Sequence, residues 1–149
     1  MPTIINTIVG GVIATTAMTL FLYLFHWFKL ANGDMLRALG SWVVKKYEGS
    51  FLPGLIIHYI GGICFALIYL WLWRLLPLQR VPDYIFLGLV FGFIHGLIVS
   101  FMLVVLVAEH HPMEEFRGAG FAVALVHLVA HIIYGAVLGL VVGSTVINA

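Results

Sequence analysis

Four long apolar runs divide the chain, at residues 4–28, 54–76, 84–107 and 119–147. Each is long enough to cross a bilayer as a helix, which takes about 20 residues. Backbone groups in lipid must be bonded internally, so helices are forced; a barrel would need alternating polar and apolar positions. The punctuation agrees: Pro53 opens the second run, Pro77 closes it, Pro82 and Asp83 start the third, and Arg117 and Gly118 precede the fourth. Between the first two runs the pattern changes. Asp34 is placed as an N-cap, and Met35, Leu36, Leu39, Trp42, Val43 and Tyr47 recur at helical spacing. Arg37, Lys45 and Lys46 take the other side, and Gly49 offers a stop. This spacing predicts a short amphipathic helix over 35–48 lying in the membrane interface. The same pattern suits a lid packed on the bundle end. The chain therefore reads as all-α: an integral membrane four-helix bundle with an interfacial amphipathic helix between spans one and two. Residues 1–149 form a single transmembrane domain on this reading.

Composition agrees. The chain is 63% hydrophobic and 9% charged, whereas a soluble domain carries roughly 25% charge. So few charges cannot cover a water-facing surface. A net charge of +1 with no basic stripe gives no nucleic-acid partner. Cys64 is the single cysteine, so no internal disulfide and no cysteine metal motif can form, and a small buried hydrophobe is expected. No Lys or Arg precedes the first run, which is also too long for a signal peptide, so it is expected to be retained. The sequence carries no phosphate-cradling loop, serine nucleophile elbow or metalloprotease helix, and it singles out no reaction.

Small residues mark the spans: Gly10, Gly11, Ala14 and Thr15 on the first, Gly61 and Gly62 on the second, Gly88, Gly92 and Gly96 on the third, Gly135, Gly139 and Gly143 on the fourth. Such ridges let backbones approach closely. They predict tight packing, within the chain or onto a homo-oligomer or larger membrane complex. Trp27, Trp71 and Trp73 near span ends suit the aromatic belts. Lys29, Arg37, Lys45, Lys46 and Arg117 fall on one side of the membrane, Arg74 and Arg80 on the other. The positive-inside rule makes the richer side cytoplasmic and leaves both termini extracytoplasmic.

Against this background seven histidines stand out. His58, His95, His127 and His131 fall inside the runs, where an ionisable side chain is costly and a functional site is the default reading. His127 and His131, four residues apart, share a helix face. His95 and His131 each lie about 18 Å from the same membrane boundary, near the bilayer centre. His58 is about 6 Å inside that boundary. His26, Glu109, His110, His111, Glu114 and Glu115 crowd the same side. The polar residues thus grade from one mouth to the bundle middle.

That gradient fits a transition metal (Cu, Fe or Zn) held by His95, His127 and His131, with His58 as a fourth ligand and Glu109 attracting cations at the mouth. It fits a haem clamped between His95 and His131, and a proton relay along the imidazoles. His110-His111 with His127 and His131 is also reminiscent of membrane di-iron hydroxylases, which cluster many more histidines. The plainer alternative is a private hydrogen bond across helices, worth roughly 0.6–2 kcal/mol, with Thr15, Thr19 and Ser100 as partners. His110, His111, Glu114 and Glu115 read more simply as solvated loop residues, and His26 as interfacial. Tyr134 extends the His127/His131 face as a hydroxyl donor or as aromatic core.

The stretch 131–139, the opening from Gly10-Gly11 to Met18, and the stretch 88–92 resemble phrases in uncharacterised four-helix bacterial inner-membrane proteins. The resemblance implies the four-helix topology and a bacterial or archaeal inner membrane, and no activity. The expected function is to hold a transition metal or haem through intramembrane histidines, in electron transfer or metal handling. The alternatives are a structural accessory subunit of a respiratory, photosynthetic or oxidase complex, or a small proton or cation conduit.

Overall fold

The computed structural model describes residues 2–147, and every element in them is helical. α1 (Ile4–Trp27) opens on Thr3, whose hydroxyl accepts the Asn6 N–H at 3.1 Å. α2 (Met35–Val44) follows, then α3 (Phe51–Arg74). α4 begins at Val81 and reaches His110 through a π turn over Leu103–Val107, where the Ala108 N–H bonds Leu103 O. A one-turn α5 (Glu114–Arg117) precedes α6 (Phe121–Ile147). α1, α3, α4 and α6 are each long and apolar enough to cross a membrane.

Two boundaries differ from the sequence expectation for local reasons. α3 starts at Phe51 rather than 54, so Pro53 sits inside its first turn. The first-turn N–H groups have no helical partner, and proline lacks nothing there. α2 stops at Val44, short of 48, because Lys45 turns left-handed at φ 56° with its N–H on Ser41 O at 2.9 Å.

Glycine sets the packing. A Cβ on Gly135 would strike Gly88 O and lie 3.1 Å from Gly92 Cα, and one on Gly92 would lie 2.5 Å from His131 O. α4 and α6 therefore meet backbone to backbone. α1 reaches α6 at Gly10, beside Leu138, and α3 at Gly11, 2.9 Å from Ala66 Cβ on the same test. Of the two uses the sequence allows for these ridges, packing within the chain is the one seen for Gly10, Gly11, Gly88, Gly92 and Gly135. α2 crosses the start of α3, Gly40 facing Ser50 O and Gly54 facing Leu36 O.

The spans form an arc in the order α4, α6, α1, α3, and its two end helices meet through side chains rather than backbone. The core lies along the arc, with Ala14, Leu22, Ala66, Trp73, Ala130, Tyr134, Leu138 and Val142 buried. Phe86, Phe93, Ile98 and Phe101 point outward, as lipid-facing residues do. Cys64 also faces outward instead of being buried as expected, because Gly62 and Ala66 take the inner face of that turn.

Candidate functional site

The middle of the arc encloses a cavity of about 220 Å³. α3 lines it with His58, Gly61, Gly62 and Phe65, α4 with His95 and Val99, and α6 with His131 and Tyr134. Met18 of α1 and Met35 and Leu39 of α2 complete the wall. A Cβ on Gly61 would meet nothing within 4 Å, so glycine here leaves open space rather than a close contact.

His95 is the least satisfied group in the chamber. Its ring stacks on Phe65 at 3.7 Å and meets the His131 ring edge to face at 4.6 Å. Its Nδ1 is buried without a hydrogen-bond partner among the described residues. Burying such a group unpaired costs about 1–3 kcal/mol. The other imidazoles are oriented. His131 Nδ1 lies 2.7 Å from His127 O, and His127 Nδ1 2.8 Å from Val123 O. A carbonyl only accepts, so both Nδ1 atoms carry the proton and each Nε2 keeps its lone pair. Metal-binding histidines are oriented by a backbone carbonyl in this way. Thr19 donates to Thr15 O at 2.7 Å, so it receives the Nε2–H of His58 at 3.0 Å. Tyr134 Oη donates to Gly62 O at 2.5 Å and ties α6 to α3 across the chamber.

α2 is the chamber's lid. Beneath it a second cavity of about 120 Å³ is lined by Asp34, Trp42, Leu103, Val107, Phe116 and His127, among others. Met35, Leu39 and Val99 border both cavities. Two polar knots hold the lid down. At its start, buried Asp34 accepts from Tyr23 Oη at 2.8 Å, Tyr47 Oη at 3.1 Å and Arg37 Nη1 at 3.2 Å. Burial and the Asp34 carboxylate push the Tyr47 phenol above its ordinary pKa, so it stays a donor. At the far side is His111. The Met113 N–H donates to its Nδ1 at 3.0 Å, which leaves the Nε2–H for Ala38 O at 3.0 Å. Its ring is fully buried between Trp42 and Phe116. His111 was expected to be solvated like His110; instead the chain turns between them, and only His110 is exposed.

The structure thus brings His95 and His131 together, puts His58 on the same chamber, and leaves His127 one turn away in the adjoining cavity. Glu109 stands apart, exposed and 4.0 Å from His110 Nδ1, and lines neither cavity. Ser100, weighed as a partner for these histidines, bonds Ala124 O at 2.7 Å instead. Among the described residues no three His, Cys, Asp or Glu side chains converge as a metal cage. Nothing in the sequence singles out Met18 and Met35, because they come from separate elements whose rotation no spacing reveals. The 4.6 Å ring separation also bears on cofactor size. Metal–imidazole bonds of about 2.0–2.1 Å put two ring centres roughly 5 Å apart on a bare tetrahedral ion and roughly 6 Å apart across a haem.

The chain belongs to DUF6789, a family of unknown function, which matches it over residues 1–147. No curated protein and no solved structure matches the chain.

Proposed function

We propose that this member of the family is a small membrane protein that handles a transition ion, copper first, in the chamber between His95 and His131. The observation that carries the reading is His95, an imidazole held within the bundle with its Nδ1 unpartnered, against a second imidazole whose protonated nitrogen is already committed. Neutral imidazole suits copper, zinc and iron, and thioethers such as Met18 and Met35 select the softer Cu(I). The rings now pack edge to face, as two neutral rings do. Capture requires His95 to turn about χ2, and that turn breaks no bond at its Nδ1. Two imidazoles leave coordination positions open, which suits uptake and release more than a permanent structural ion. Electron transfer through a redox-active copper is compatible with the same donors.

The test is elemental analysis and a visible spectrum of protein purified from copper-supplemented cells. The reading predicts copper in the wild type, loss in His95→Ala and in His131→Ala, and retention in His110→Ala. A metal-free wild type in a fully inserted preparation overturns it, and a Soret band replaces copper with haem. A second reading, an accessory subunit of a larger membrane complex, is favoured by the outer face of α4, the least buried of the four spans. On that reading Phe93→Ser disrupts assembly while His95→Ala does nothing.

A further inference from the structure

α3 ends and α4 begins at the membrane surface opposite the lid, joined by the turn 75–80. A pocket of about 220 Å³ opens there against the start of the chain, with Pro2, Trp73, Arg74, Leu78, Gln79 and Tyr84 on its wall. The bundle's inner cavities are walled by hydrocarbon; this one presents two exposed polar side chains, Arg74 and Gln79. Arg74 is charged and barely held. Among the described residues its guanidinium reaches Pro2 O alone, at 3.5 Å, the outer limit of a hydrogen bond. A guanidinium has five N–H donors to place. The acidic side chain at this end, Asp83, is already taken: it accepts the Arg80 N–H at 3.1 Å and Arg80 Nη2 at 3.3 Å. Asp34, Glu48, Glu109, Glu114 and Glu115 lie at the other end of the bundle. The Gln79 amide adds two further donors beside the uncompensated charge. Depth says where the counter-charge comes from. Arg74 is the last residue of a 24-residue span, which puts its guanidinium at headgroup level. Trp71, exposed one turn earlier, suits the aromatic belt there. Leu75, Leu76 and Phe86 are exposed around the same turn.

From this placement we infer that the pocket at the α3–α4 turn binds the phosphodiester of a phospholipid headgroup, with Arg74 forking onto its free oxygens and Gln79 donating beside it. A phosphodiester carries one negative charge for the one unpaired guanidinium, and its oxygens match the planar fork. The lipid's chains run past Leu75, Leu76 and Phe86 into the bilayer. Inorganic phosphate shares the charge and the oxygens but has nothing to lay on that apolar surface. The pocket is at the other end of the bundle from the lid, and the inference does not rest on the copper reading.

The test is native mass spectrometry of the full-length protein in detergent, titrated with phosphatidylglycerol. One saturable lipid adduct is expected. Dioleoylglycerol, with chains but no phosphate, is expected to bind at least tenfold more weakly. Arg74→Gln is expected to weaken phosphatidylglycerol binding tenfold or more, the worth of a charge-assisted hydrogen bond. Leu78→Trp, at a half-buried position on the pocket wall, is expected to fill the pocket and lower binding with every charge in place. Lys46→Gln, which removes one charge at the opposite membrane face, is expected to bind as the wild type does. Millimolar inorganic phosphate is expected to leave the adduct in place. No saturable adduct overturns the inference. So does equal binding of dioleoylglycerol, or unchanged binding in both Arg74→Gln and Leu78→Trp. Equal weakening by Lys46→Gln replaces the pocket with general surface attraction, and displacement by inorganic phosphate overturns the lipid as the source.

Discussion

Replacing Gly135 with alanine adds one methyl group to the tightest seam in the bundle. That carbon would lie 2.8 Å from the Gly88 carbonyl carbon and 3.1 Å from Gly92 Cα, with Gly88 O nearer still. Ordinary carbon contacts are about 3.5–4.0 Å, so α4 and α6 must part by roughly 1 Å. No flexible side-chain tip is available to give way, since these three neighbours are backbone atoms. Overpacking of this kind costs about 1–3 kcal/mol. For a chain of this size that is a fall in Tm of about 3–10 °C. The control is the same change at Gly61, where a Cβ meets nothing within 4 Å. There alanine gains helix propensity, about 1 kcal/mol, and Tm holds or rises. Thermal unfolding of detergent-purified protein, followed by tryptophan fluorescence, reads both. Equal Tm shifts for Gly135→Ala and Gly61→Ala, or no fall for Gly135→Ala, refute the backbone-to-backbone seam.

Three further outcomes follow from the lid and the charge pattern. His111→Ala removes a ring that bonds Met113 and Ala38 and packs on Trp42; a loss of about 1–3 kcal/mol is expected, with red-shifted tryptophan emission, while His110→Ala changes neither. Asp34→Ala strips the acceptor from Tyr23, Tyr47 and Arg37; about 2–3 kcal/mol is expected to be lost in the same melt, and Tyr47→Phe should lose less because one acceptor contact goes instead of three. The positive-inside rule predicts a cytoplasmic Lys45/Lys46 side; on that expectation an impermeant thiol reagent applied outside intact cells labels Arg80→Cys and spares Lys46→Cys, and the reverse pattern refutes it.

The fold was legible because lipid removes alternatives: a long apolar run has to be helix, and Pro77, Pro82 and Gly118 mark its edges. The pairing of His95 with His131 was legible too, since equal depth on antiparallel neighbours needs only the helix rise. Rotation was not. Apolar residues cover every face of these spans, so no stripe in the sequence says that Cys64 looks outward, or that Met18 and Met35 look in. The glycine ridges announced close contact but not with what, because a chain partner and a second copy present the same small residues. His111 shows the other limit. Its adjacency to exposed His110 suggested a solvated pair, and only the turn into Met113, with α2 overhead, reveals a buried clamp. The π turn in α4, beside the small cavity, left no mark in the run of Leu and Val that forms it.

Pulsed electron paramagnetic resonance of Cu(II)-loaded protein in nanodiscs tests the central claim most directly, because remote imidazole nitrogens modulate the copper signal and can be counted. The account predicts two coordinating imidazoles in the wild type and loss of the imidazole-modulated copper signal in His95→Ala and in His131→Ala. A signal without imidazole modulation, or one that neither substitution changes, contradicts it.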